Sequence, residues 1–276
     1  MKKVLLAFDG SNYSEGAFEF ARILNERSKI LITGIFVPKT DYASLWSYAG
    51  QGASNTVFVP YIEDVDSEEV KKTISKFEKA CQQNDIQYKI HKDYDSSALS
   101  ALMKESRFAD LMILGSETFY SDYSGKDVSE YLKETLHEVE CPTIVVPENF
   151  IFPKTNIIAY DGSKSSVFAI KQFIYLFPEL LNNKSLLVYN KDNDDKDVPD
   201  QILIEELAVK HFPNLTIQKN NTEPDSYFNT FLLGRKGALL ISGSFGRGGV
   251  GSLFHKSFVS DIIKEHGIPV FITHRN

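Results

Sequence analysis

The chain repeats itself. Val4–Ser14 reads VLLAFDGSNYS and Asn156–Ser166 reads NIIAYDGSKSS; each is an apolar run ending in Ala, an aromatic residue, Asp, Gly and Ser. Ala109–Ser116, ADLMILGS, recurs as Gly237–Ser244, GALLISGS, and Cys141–Pro147, CPTIVVP, recurs as Ile268–His274, IPVFITH. Three segments returning in the same order restrict the fold to one unit used twice. The break falls near Glu148–Thr155, which gives domains 1–149 and 150–276, both of ordinary size.

Within the first unit, Val4–Phe8, Ile30–Val37, Leu111–Leu114 and Thr143–Val146 are almost wholly apolar, as strands covered on both faces must be. Gln87–His91 reads as a shorter strand. Helical spacing appears in Glu15–Leu24 (Ala17, Phe18, Ala21, Leu24) and in Ser67–Cys81 (Val70, Ile74, Phe77, Cys81). It returns in Ser96–Glu105, with Leu99, Leu102 and Met103 inward, and in Val128–Val139. Ser11 or Ser14 is the expected cap of the first helix. The second unit repeats the plan. Its strands are Ile157–Tyr160, Ser185–Tyr189, Leu215–Lys219, Ala238–Ser242 and Pro269–Thr273. Its helices lie near Ser166–Phe177, Asp200–His211, Ser226–Leu233 and Ser257–His266. Strands alternating with helices predict an α/β, Rossmann-like fold: two tandem five-stranded parallel sheets with helices on both faces. Asp41–Asp66 is long, irregular and aromatic, the pattern of a lid or an interface element. Asn190–Asp197 is a solvated connection without calcium-loop spacing.

Ligands of such sheets sit beyond the carboxyl ends of the strands. Asp9, Asp161, Gly115 and Gly243 all follow strand ends. From Leu239 the chain reads LLISGSFGRGGVGSLFHKS, a strand, then Gly243, Gly246, Gly248, Gly249 and Gly251, then an amphipathic segment. Glycine lets successive backbone N–H groups turn inward and a helix start adds positive potential, so this stretch predicts a cradle for the phosphates of a nucleotide. Gly246-x-Gly248-x-x-Gly251 also fits the dinucleotide fingerprint, but it follows the fourth strand of its unit and lacks a suitably placed ribose acid. Gly251 with Lys256-Ser257 lacks the glycine that a P-loop needs before lysine. Without a ligand, the glycines would serve close packing. Asp9 and Asp161 either reach a ligand or cap helices, and for Asp9 capping is the preferred reading.

Composition narrows the rest. With 42% apolar and 24% charged residues, the chain has the make-up of a soluble globular protein. A net charge of −7 argues against a general nucleic-acid or anionic-membrane binder. Val4–Phe8 is too short for a signal peptide, and no stretch is long enough to span a membrane. Cys81 and Cys141 lack metal spacing and suit a reducing, cytoplasmic setting. The six histidines are scattered, so each is expected at a surface or helix end, and no metal site is expected. No catalytic motif is present, which favours binding over turnover.

A first strand ending in D-G-S, a fourth ending in G-S, a glycine loop and a final C/I-P-apolar strand together resemble the universal stress protein family, once per half. That resemblance implies an adenine nucleotide alpha hydrolase-like fold. Its ATP-binding members carry G, two residues, G, nine residues, G, then S or T. Gly243 and Gly246 match, Lys256 stands where the third glycine belongs, and Ser257 fills the hydroxyl position. In the first half Gly115 and Ser129 match, but Thr118 and Val128 replace glycines. The resemblance implies ATP, possibly with Mg2+, held by Ala159, Tyr160, Asp161, Val188, Tyr189, Gly243, Ser244, Gly246, Arg247, Gly248, Lys256, Ser257 and Phe258. Asp161 would serve the ribose or phosphates, and Val188 and Tyr189 would frame the adenine. It also implies a pseudo-dimer, with Thr143–Val146 beside Pro269–Thr273 across an internal two-fold axis. Three readings follow: a regulatory adenine-nucleotide binder, a slow ATPase or phosphotransferase using Asp161, Lys256 and Ser257, and a ligand-free scaffold for a protein partner or homodimer.

Overall fold

The computed structural model describes residues 1–9, 12–37, 68–92, 98–117, 119, 130–190, 198–220, 232, 234–243 and 267–273. The four apolar runs and the shorter Gln87–His91 segment are strands: β1 Lys2–Phe8, β2 Ile30–Phe36, β3 Gln87–Lys92, β4 Leu111–Gly115 and β5 Thr143–Val146. The second series is β6 Thr155–Tyr160, β7 Lys184–Asn190, β8 Leu215–Asn220, β9 Ala238–Gly243 and β10 Val270–Thr273. The helices are α1 Glu15–Arg27, α2 Glu68–Gln83, α3 Ala98–Ser106, α4 Glu130–Glu138, α5 Lys164–Leu176 and α6 Gln201–His211. The expected helices at 226–233 and 257–266 and the aromatic stretch 41–66 lie outside the described residues, except for Leu232.

The ten strands among the described residues form one sheet, ordered β3-β2-β1-β4-β5-β10-β9-β6-β7-β8. Read inward from either edge, the two halves give the same order, so the duplication seen in sequence is a duplication in space. Pairing is parallel within each half. Only the junction is antiparallel: Val270 faces Val145, Phe271 faces Ile144 and Ile272 faces Thr143. The two last strands thus meet as the resemblance implied. Each supplies the partner for backbone groups that would otherwise form an open apolar edge.

Alternate residues of each strand serve two cores. Val4, Leu6 and Phe8 of β1, with Ile158 and Tyr160 of β6, pack under α1, α2, α5 and α6. Leu5, Ala7, Ala159 and Val188 belong to the opposite core, with α3, α4 and Leu232. The stripe expected on α2 is buried, as are Ala17, Phe18, Ala21 and Leu24 of α1. On α3 the phase differs from expectation: Ala98, Ala101, Leu102 and Ser106 are buried, while Leu99 and Met103 are half-buried. The small alanines let that helix lie close to the sheet, so the longer side chains fall to its flanks.

Side chains tie the halves together as well. The Lys2 ammonium donates to the Leu176 carbonyl at the end of α5 and lies 5.5 Å from the centre of the Phe177 ring. In the mirrored place, the Arg27 guanidinium at the end of α1 lies 4.6 Å from the Phe152 ring. Phe20 of α1 packs against Phe150 and Phe152, with ring centres 5.7 and 5.2 Å away.

Candidate functional site

The carboxyl ends of β6, β7 and β9 form the rim of the second half. Ile158 pairs with Ile241, so two residues further on Tyr160 stands level with Gly243, and Asp161 is the first residue past the strand. Asp161 Oδ1 accepts a hydrogen bond from the Ser163 amide at 2.8 Å. Gly162 between them has φ +77°, and a Cβ there would strike the Pro199 ring. Ser163 caps α5, accepting from the Ser166 amide at 3.1 Å. Asp161 therefore shapes the turn ahead of the cap.

Gly243 has a packing reason for being glycine. A Cβ on it would lie 2.5 Å from the Ser165 carbonyl carbon and 2.7 Å from the Ser166 nitrogen. The first turn of α5 rests directly on the end of β9. Of the other residues assigned by resemblance, Ala159 and Val188 are buried in one core and Tyr160 and Tyr189 in the other. All four residues are 1–2% exposed, so none offers its side chain at the rim. The Tyr160 hydroxyl donates to the Pro199 carbonyl at 2.8 Å, which pins the entry to α6 over the strand end. Burial, then Asp200 and Asp161, raise the Tyr160 pKa; burial and Asp161 raise that of Tyr189. Both rings stay neutral beside Asp161. Ser244, Gly246, Arg247, Gly248, Lys256, Ser257 and Phe258 lie outside the described residues.

The rim of the first half is occupied by the chain's own carboxylates. Asp9 accepts from the Asn12 amide at 2.7 Å and from Asn12 Nδ2 at 2.8 Å. It does not cap α1, being too far ahead of the helix. Ser14 does, accepting from the Ala17 amide at 3.1 Å. The Ser14 hydroxyl donates in turn to Glu148, which also accepts from the Gly16 amide at 3.0 Å. A Cβ at Gly16 would run into the Pro147 carbonyl oxygen, so glycine is what lets the chain after β5 reach the helix start. Glu117 accepts from the Ser116 hydroxyl at 2.7 Å and from the Glu148 amide at 2.8 Å. An anion is thus already seated at the positive end of α1. Glu117, Glu148 and Pro199 were not singled out in the sequence. Acids just past strand ends look like any solvated loop, and only the fold shows what they meet.

Among the described residues no three potential ligands gather into a metal site. His91 is partly exposed on the edge strand β3, and its Nδ1 lies 2.8 Å from Glu105 Oε1, a contact across two elements that spacing along the chain does not reveal. No helix among the described residues is long and apolar enough to cross a membrane.

No family model matches the sequence, and no curated protein matches it. Solved structures do. A universal stress protein from Archaeoglobus fulgidus superposes with a TM-score of 0.74 at 16% identity, covering 100% of this chain and 97% of its own. A functionally unknown protein from Pseudomonas aeruginosa PAO1 gives 0.56 at 10% identity, covering 99% and 92%. The chain has the universal stress protein fold, carried twice in tandem and joined through its last strands.

Proposed function

We propose that this is a regulatory protein of the universal stress type, which binds ATP or a related adenine nucleotide through residues 150–276. Residues 1–149 act as the structural and partner-docking half. The observation that carries this reading is the contrast between the rims. In the first half, Asp9, Glu117 and Glu148 line the strand ends and Glu148 fills the α1 start, so phosphate would meet like charge. In the second half α5 is likewise capped by a serine, but the sequence repeat carries Arg275 in the place of Glu148, and the strand end leads into the glycine stretch. Charge follows the same division. Residues 1–149 hold 24 acidic and 16 basic side chains, and residues 150–276 hold 13 and 14. A phosphate site sits more favourably in the second. Asp161 and the backbone at Val188 and Tyr189 would meet ribose and adenine, Gly246 and Gly248 would admit the phosphates, and Arg247 and Lys256 would add charge. The two cysteines fit a reducing cytoplasm.

Isothermal titration with ATP, with and without magnesium, tests this. Binding is expected for the unaltered protein and for E148Q, and loss for G246V. No heat and no thermal shift at millimolar ATP would overturn it. One observation favours the ligand-free alternative, namely that packing on Ser165 accounts for Gly243 with no guest present.

A further inference from the structure

A groove of about 620 Å³ starts beside the α1 cap and runs between α1 and α2. One wall carries Glu15, Glu19 and Arg22 of α1, and the other Lys72, Lys76 and Lys79 of α2. The three lysines stand at i, i+4 and i+7, so they share one face over about 10 Å of helix. Their charges are unequally used. Lys76 reaches Glu15, and its ammonium lies 4.4 Å from the centre of the Tyr13 ring. Arg22 is held on its own helix by Glu19, at 2.6 and 2.7 Å, and by Glu26. Lys72 and Lys79 have no partner among the described residues. Apolar lining comes from Tyr13, Phe18 and Ala80. The Tyr13 hydroxyl is shut off from solvent, with no hydrogen-bond partner among the described residues.

None of this is inherited from the duplicated fold. In the second half, α6 turns Ile202, Leu203 and Val209 outward, 63–74% exposed. The lysine row is also local, since it stands in the half whose total is strongly acidic.

We infer that this groove docks an acidic amphipathic helix of a partner protein, with its carboxylates on Lys72 and Lys79 and its apolar residues against the partly exposed Tyr13 and Ala80. Charge complementarity picks this occupant over a small polyanion. A phosphate chain needs donors that converge, whereas these are strung along a line. Glu15 and Glu19 face that line and would repel a compact, highly charged anion, but they tolerate a helix that turns only one face of carboxylates toward α2. The inference names a partner class for the first half and does not depend on nucleotide binding in the second.

The test is fluorescence anisotropy with the full chain and a labelled helical peptide carrying Glu at i, i+4 and i+7 and Leu on the adjoining face. Binding is expected at low salt and should weaken as salt rises. K72E/K79E should weaken it by about tenfold or more, and K72Q/K79Q by less. K89E/K171E, at exposed lysines elsewhere, should leave it unchanged. Both target lysines are exposed, and equal melting temperatures would establish that the variants fold. Three results would overturn the inference: no binding by the unaltered chain, equal affinity in K72E/K79E, or displacement by inorganic tripolyphosphate as effective as by unlabelled peptide.

Discussion

Single atoms decide much at the rims. Gly243 meets backbone of α5, not the movable end of a side chain, so even one methyl group has nowhere to go. G243A should cost about 1–3 kcal/mol and lower the melting temperature by several degrees without nucleotide present. Calorimetry of the apo protein checks this, and an unchanged melting temperature would mean α5 sits further from β9 than described. The two thiols answer to burial in the same local way. Desolvation pushes both Cys81 and Cys141 up to about 12, with Glu78 and Asp110 as lesser causes. An unfolded thiol titrates near about 8.5, so the preference for the neutral form supports the fold at neutral pH. It is lost as pH climbs from there through the folded value. Native protein at pH 8 should leave both thiols unlabelled by a disulfide reagent, and unfolding should expose two equivalents.

Elements were the most legible level of the sequence. Continuous apolar runs mark the inner strands to within a few residues, because a doubly covered parallel strand has no polar face to confuse the pattern; the edge strands β3 and β8 are mixed in polarity and read only as short strands. Helix stripes were legible where large residues mark them, as on α2. They were not on α3, where alanines take the contact. Capping was half legible: DGS flagged both turns, yet Ser14 and Ser163 do the work and the aspartates brace the loops ahead of them. Of the candidate site, strand order placed Asp161 and Gly243 together. The burial of Tyr160 and Tyr189 and the self-occupied first rim depend on contacts between distant segments, which spacing along the chain does not encode. One such contact joins the end of α3 to the turn before β5. Arg107 donates to Glu140 at 2.6 and 2.9 Å, and that hydrogen bonding holds the Glu140 carboxyl below its ordinary range. The pair helps at neutral pH and is lost as pH falls through the depressed value. R107A should return Glu140 to the usual carboxylate titration, followed by NMR. An unmoved midpoint would show that the pair does not form in solution.

Across the whole molecule, ten strands and the Lys2 and Arg27 contacts make the halves one body. Cutting between them would leave β5 as a bare apolar edge. Residues 1–149 expressed alone should therefore self-associate through Thr143–Val146, and a proline at Ile144 should abolish that association. Light scattering distinguishes the outcomes, and a stable monomer of 1–149 would mean the junction is dispensable. Because β5 and β10 run in opposite directions, the mouths of the two half-sheets point to opposite poles, about a strand's length apart. A chain arranged this way cannot hold two guests side by side. Whatever is gripped at one pole leaves the other directed outward, so the polypeptide has the geometry of a two-ended coupling.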